Sequence, residues 1–164
     1  MEQTLVLLKP DAVDRGLVGE IISRFERVGL KIAALKMVQA GKEHAAKHYT
    51  EDLAKRRGQH VRDLMIEMIS SGPIVALVLE GVEAVEIVRK MVGTTEPKSA
   101  APGTIRGDYS HVSFKHADSK KIGVYNLVHA SGSVEEAPVE IDVWFSKDEL
   151  QSFKPGYTKH TIAY

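Results

Sequence analysis

The stretch Leu5-Val6-Leu7-Leu8-Lys9-Pro10-Asp11 decides how the chain is read. Its apolar run is strand-length and apolar on both faces, the pattern of a strand buried inside a sheet. Lys9-Pro10-Asp11 stops it, because proline brings no N–H to a ladder. Outward from there, Leu17 to Val28 sets Val18, Ile21, Ile22 and Phe25 at helical spacing, with Gly29 as a C-terminal cap. Leu30 to Val38 reads as a second strand, its alternation made imperfect by Lys31 and Lys36. Lys42 to Tyr49 reads as a helix, and so does Val61 to Ile69, where Leu64, Met65, Met68 and Ile69 share a stripe. The turn Ser71-Gly72-Pro73 leads to a buried strand over Ile74 to Leu79. Gly81 opens a helix carrying Val82, Val85, Val88, Met91 and Val92, which ends at Gly93. Thr94 to Gly103 is a loop, and Ile122 to Val128 is a fourth strand. Ser133-Val134-Glu135-Glu136 fits the S-x-x-E capping pattern ahead of a helix with Val134, Ala137, Ile141 and Trp144. From Phe145 onward the chain reads as a tail.

The order β-α-β-(α)-β-α-β-α is that of a split βαβ, ferredoxin-like unit with additions. The expected class is therefore α/β of the α+β kind: a βαββαβ core with a four-stranded antiparallel sheet, extra helices, and a C-terminal helix plus tail. A length of 164 residues, 43% of them hydrophobic, suits one domain over 1–164 with a sizeable core. The absence of cysteine excludes disulfide scaffolds, thiol nucleophiles and Cys-ligated metals. Lys+Arg and Asp+Glu number 22 each, which argues against bulk electrostatic binding to nucleic acid or anionic membrane. No apolar stretch is long enough for a membrane span, and the first residues lack a basic region and a long apolar run. A cytoplasmic location, with no membrane or nucleic-acid partner, is the expectation.

The Walker, dinucleotide and nucleophile-elbow signatures are missing. His44 and His48 have the spacing of a zinc helix without its glutamate, and read as an ordinary exposed helix pair. Lys55-Arg56-Arg57 reads as a solvated loop or helix end. Lys9 ends a buried strand, where open sheets tend to place ligands, although a solvated strand end fits equally well. His129 follows Leu127-Val128 among the small residues Ala130, Ser131 and Gly132, which leave room beside an imidazole; a turn histidine is the alternative. Glu140 borders the apolar stripe of the last helix, and a carboxylate there needs a partner. His129 is its nearest candidate: a carboxylate on one ring nitrogen fixes the tautomer and leaves the other free to attack. Arg89, near Thr95, and Arg106, in Pro102-Gly103-Thr104-Ile105-Arg106-Gly107-Asp108, offer guanidinium forks suited to phosphate, though surface arginines are common.

Together these residues resemble the nucleoside diphosphate kinase family over nearly the whole chain. The carriers are Lys9 to Val13, Arg15 to Ile22 with Arg24-Phe25-Glu26, His48-Tyr49, Ser71-Gly72-Pro73, Pro102 to Asp108, Asn126 to Ser131, and Glu140 with Trp144-Phe145. The resemblance implies the ferredoxin-like core, Mg²⁺-dependent activity and a homo-oligomer, a hexamer or tetramer. It implies transfer of the γ-phosphate from a nucleoside triphosphate to a nucleoside diphosphate by a ping-pong route through phosphohistidine at His129. In that scheme Lys9 holds the transferring phosphoryl, Tyr49 donates its phenol, and Arg89, Thr95 and Arg106 grip the other phosphates. Asn126 bonds the sugar, Glu140 orients His129 with Ser131 in support, and Mg²⁺ sits mainly on the phosphates with Glu51 as an indirect helper.

Two regions depart from the family pattern, near 53–62 and 109–123. In the first, Val61 stands where an aromatic residue usually meets the base. The second is a longer hairpin or excursion that could cover the site or alter assembly, with solvated decoration as the plainer reading. The tail after Phe145 departs too, apart from Ile162-Ala163-Tyr164. The rivals to the enzyme are a non-catalytic nucleotide-binding regulator of the same fold, a protein histidine phosphotransfer partner, and an RNA-binding module. Neutral charge and the lack of an aromatic RNP pattern speak against the last.

Overall fold

The computed structural model describes residues 1–162. Ala163 and Tyr164, the end of the expected tail match, lie outside the described residues. In chain order the elements are β1 (Glu2–Leu8), α1 (Pro10–Asp14), α2 (Val18–Arg27), β2 (Lys31–Gln39), α3 (Lys42–His48), α4 (Glu51–Arg57), α5 (Gln59–Ser70), β3 (Pro73–Gly81), α6 (Ala84–Val92), α7 (Ile105–Tyr109), α8 (Phe114–Lys120), β4 (Val128–Ala130), α9 (Glu136–Trp144) and α10 (Thr158–Thr161). The strands form one antiparallel sheet in the order β2-β3-β1-β4, the expected ferredoxin-like arrangement.

β1 is central and covered on both faces, which explains its unbroken apolar run. Val6 and Leu8 pack with Ile21 and Phe25 of α2, Val88 of α6 and Ile105 of α7. Leu5 and Leu7 pack on the opposite face with Ala45 of α3, Ile69 of α5, and Ile141 and Trp144 of α9. All four side chains of the run are fully buried, each worth roughly 1.5–3 kcal/mol relative to exposure. α1 follows at once, because Pro10 at its first position has the fixed φ a helix start needs.

Three sequence-based boundaries move. Gly81 belongs to β3 rather than to the next helix, which starts at Ala84 after Glu83 adopts a left-handed conformation at φ 49°. The fourth strand is not Ile122–Val128; pairing begins only at Val128, opposite Leu8. Leu127 is the reason. It sits at φ 69°, and the Val128 N–H donates to the Asn126 carbonyl at 2.7 Å. A tight reversal there keeps Ile122–Asn126 out of the ladder. The tail, finally, is ordered against β2: the Gln151 N–H donates to the Ala33 carbonyl at 2.8 Å, and Lys36 pairs with Glu149 at 2.6 Å. The bulge between Ile32 and Ala34 frees that carbonyl from regular pairing.

Phe25 is fully buried in the α2 face of the core, away from His129. Phe25→Ala should lower stability by roughly 3–5 kcal/mol, read as a lower urea midpoint at unchanged slope. A loss below about 1 kcal/mol would mean that this face repacks freely.

Candidate active site

Antiparallel pairing sets His129 directly opposite Leu7. Opposed residues share a face, so the imidazole emerges on the Leu5/Leu7 side, where α3 and α9 pack. The Ser133 hydroxyl accepts from the Glu136 N–H at 3.2 Å in the turn ahead of α9, whose N-cap is Glu135 rather than the serine that the capping pattern pointed to. One turn on, the Glu140 oxygens lie 3.0 and 3.1 Å from His129 Nε2. The carboxylate thus fixes Nε2 as the protonated nitrogen, and Nδ1 has no hydrogen bond among the described residues. Burial opposes ionisation of Glu140, yet His129, His48 and Ser131 outweigh it and bring its pKa to about 2. Ser131 is fully buried and also accepts from the Leu5 N–H at 3.1 Å, which ties the pair to β1.

His48 corrects the exposed-pair reading. It is 8% exposed, and its ring stands perpendicular to that of His129 at 4.4 Å. The Trp144 indole N–H donates to its Nδ1 at 3.3 Å, so Nε2 carries the proton. Burial, then the neighbouring His129, lowers its pKa to about 3, so it is a neutral wall. The adjacent Tyr49 is 7% exposed, and its hydroxyl is buried without a partner. Burial and then Glu140 push that phenol up, so it remains a donor.

Lys9 is 1% exposed, with Nζ 3.4 Å from the Val124 carbonyl and 3.7 Å from Met68 Sδ. Burial lowers its pKa to about 8, resisted by Asp11 and furthered by Arg106. Arg106 is capped into place by Thr104, whose hydroxyl accepts from the Gly107 N–H at 3.1 Å. It donates to the carbonyls of Asn126, Gly93 and Val128 at 3.2, 2.8 and 2.5 Å. That leaves part of its five-donor fork uncommitted. Burial and then Arg89 lower its pKa to about 10. The Asn126 amide donates to the Thr95 carbonyl at 2.7 Å, and its Oδ1 is buried without a partner. Gly93 accommodates this packing at φ +86°; a Cβ there would come within 2.5 Å of Thr104 Oγ1.

These groups line one cavity of about 960 Å³. Lys9, Tyr49, Arg89, Thr95, Arg106, Asn126, His129 and Glu140 are all on its wall, and Ser131 stands behind. Val61, 37% exposed, also lines it. Glu51 does not; it pairs with Arg62 at 3.0 Å at the start of α4. Sequence reasoning missed several wall residues. Arg56 and Arg57 end α4 and border the cavity, as do Phe114, Asp118 and Ile122 of the region read as decoration. Only the aromatic character of Phe114 hinted at this.

A polyanion can therefore meet buried cations, neutral donors and an imidazole nitrogen in one place. A family model, Nucleoside diphosphate kinase, matches residues 2–150. The nucleoside diphosphate kinase of Borreliella burgdorferi is 46% identical over 155 residues, which cover 94% of this chain and 93% of that protein. The Pyrococcus furiosus nucleoside diphosphate kinase is 48% identical, with 93% and 88% covered. Among solved structures, a transition-state mimic of the Borrelia burgdorferi enzyme with bound vanadate and ADP matches with a TM-score of 0.97 at 44% identity, over 99% of this chain and 98% of that one. A halophilic nucleoside diphosphate kinase from Halobacterium salinarum in complex with CDP matches with a TM-score of 0.84 at 36% identity, covering 98% and 97%.

The buried Lys9 yields a stability prediction. Its folded pKa of about 8 lies below the ordinary 10.5. The unfolded chain therefore binds more protons between those values, and stability rises with pH across that window. At pH 7 the charged amine destabilises the nucleotide-free fold. Lys9→Met should have a higher urea midpoint than the parent at pH 7, with the advantage shrinking as pH passes through 8 to 10.5. A lower midpoint for the variant at pH 7 would show that Asp11 compensates the charge.

Proposed function

The chain belongs to the nucleoside diphosphate kinase family and is an enzyme of that class, and we propose that His129 Nδ1 carries the phosphoryl group between its two nucleotides. The reaction is NTP + N′DP ⇌ NDP + N′TP. The observation that carries the assignment is the His129–Glu140 pair, whose carboxylate holds Nε2 and leaves Nδ1 free on a cationic cavity wall. In the first half-reaction the Nδ1 lone pair attacks the γ-phosphorus, the bond from phosphorus to the β,γ-bridging oxygen breaks, and the diphosphate leaves. The positive charge left on the phosphorylated ring is stabilised by the Glu140 carboxylate, which keeps its hydrogen bond to Nε2–H. A second diphosphate reverses the step.

Lys9 and Tyr49 offer donors to the transferring phosphoryl, and Arg89, Thr95 and Arg106 to the remaining phosphates. Asn126, with an unpartnered Oδ1, suits a sugar hydroxyl. Positioning and charge stabilisation of this kind supply most of the catalysis in phosphoryl transfer.

The residues fit magnesium held by substrate rather than by protein. Among the described residues, the one cluster with metal-ligand spacing is His48, His129 and Glu140, and two imidazoles with a carboxylate do not suit a hard cation. Mg²⁺ would rest on the nucleotide phosphates; Glu51, the expected helper, stands off the cavity wall and pairs with Arg62. When bound it neutralises phosphate charge. Leu35 and Met37, 51% and 62% exposed on the edge strand β2, favour pairing with a second copy of the chain. No helix among the described residues is long and apolar enough to cross a membrane, in keeping with a cytoplasmic enzyme.

The test is a chase. Protein incubated with γ-labelled ATP and Mg²⁺ should acquire an acid-labile, alkali-stable label that excess GDP removes as GTP. Nucleotide binding without label would favour the non-catalytic regulator. His129→Ala should abolish labelling while retaining much nucleotide binding, and substantial residual transfer would reject the nucleophile. Glu140→Gln should slow turnover at least about tenfold with the fold intact; an unchanged rate would reject its orienting role.

A further inference from the structure

The cavity wall carries two chemically different kinds of side chain. His129, Lys9, Arg106 and Thr95 are polar or charged; Val61, Leu64, Ile122 and Phe114 add apolar surface to the same cavity. A nucleotide has the same polarity, anionic at the phosphates and flat and weakly polar at the base. Val61 is aliphatic and supplies no π-face. Phe114, 36% exposed, is the aromatic side chain that α8 presents to this cavity. We propose that α8, in the inserted region, builds the base seat, and that Phe114 is the face on which the nucleobase stacks. The proposal rests on the nucleotide reading above.

The local structure holds Phe114 where such a role requires. The Ser113 hydroxyl accepts from the His116 N–H at 3.1 Å and starts α8. Ala117 is fully buried and anchors the helix from below. The Phe114 N–H donates to Glu96 Oε1 at 2.8 Å, while Glu96 Oε2 accepts from the Ser99 hydroxyl at 2.6 Å. The Lys98 N–H donates to the Val112 carbonyl at 3.2 Å. The start of α8 is therefore stitched to the loop that carries Thr95, which ties the aromatic residue to that part of the cavity wall. An exposed aromatic on a decorative segment would need no such stitching. Stacking is tolerant of base identity, since every base has a π-face, so the seat is compatible with many nucleotides.

The experiment compares Phe114→Ala, Phe114→Trp and parent protein for equilibrium binding of ADP and of inorganic pyrophosphate, with phosphohistidine formation from ATP as the control. Phe114→Ala should weaken ADP roughly 5- to 100-fold and leave pyrophosphate unchanged. Phe114→Trp should restore ADP affinity and show indole emission quenched by ADP. ADP affinity unchanged in Phe114→Ala overturns the seat, as does an equal loss for pyrophosphate, which would make α8 a support for the phosphate loop only. With parent protein that forms phosphohistidine, these failures leave the kinase reading standing; a parent that forms none overturns both. Far-UV circular dichroism separates loss of contact from loss of fold, and a variant that stays folded yet fails to recover with Trp also overturns the stack.

Discussion

The reversal at Leu127 is the constraint on which the site depends. A leucine at φ 69° is unfavourable by roughly 1–3 kcal/mol, and the surroundings hold it there from every side. Its N–H donates to Asp11 Oδ2 at 3.0 Å, and its carbonyl accepts from the Lys9 N–H at 2.8 Å. Arg106 clamps the carbonyls before and after it. One turn thereby joins the end of β1, the start of α1, α7 and the start of β4. Lys9, Arg106, Asn126 and His129 are all neighbours of that turn in sequence or by hydrogen bond. A one-residue slip of β4 against β1 would exchange His129 with Val128 and point the imidazole into the α2 side of the core.

The same turn explains what the sequence hid. The two-faced run Leu5–Leu8 and the helical stripes of α2, α5 and α6 were legible, because burial imposes a period that survives in the residue types. Ile122–Val128 has the composition of a strand, and composition has no signature for a left-handed leucine held by distant partners. Gly81 misled for a related reason: it looks like punctuation, but the turn was made two residues later by Glu83.

Within the site, residues carrying a chemical signature in local sequence were readable, above all His129 beside small residues and Glu140 on an apolar stripe. His48 was not. Its spacing from His44 suggested a surface pair, whereas Trp144, far away in sequence, accounts for its burial and its tautomer. Phe114 was hidden in a different way, since the segment 109–123 has no pattern that says whether it faces water or a ligand. The family resemblance supplied roles for the phosphate-binding residues but none for 109–123.

Lys9 and Arg106 hold positive charge in a place that water barely reaches, with Asp11 as the nearby acid. The fold lacks enough counter-charge of its own, and a bound polyphosphate completes it. Ligand binding to the folded state alone raises its population by mass action. The nucleotide supply around the protein thus governs how often the chain opens and is exposed to proteolysis, so the substrate also acts as a guardian of the enzyme's lifetime.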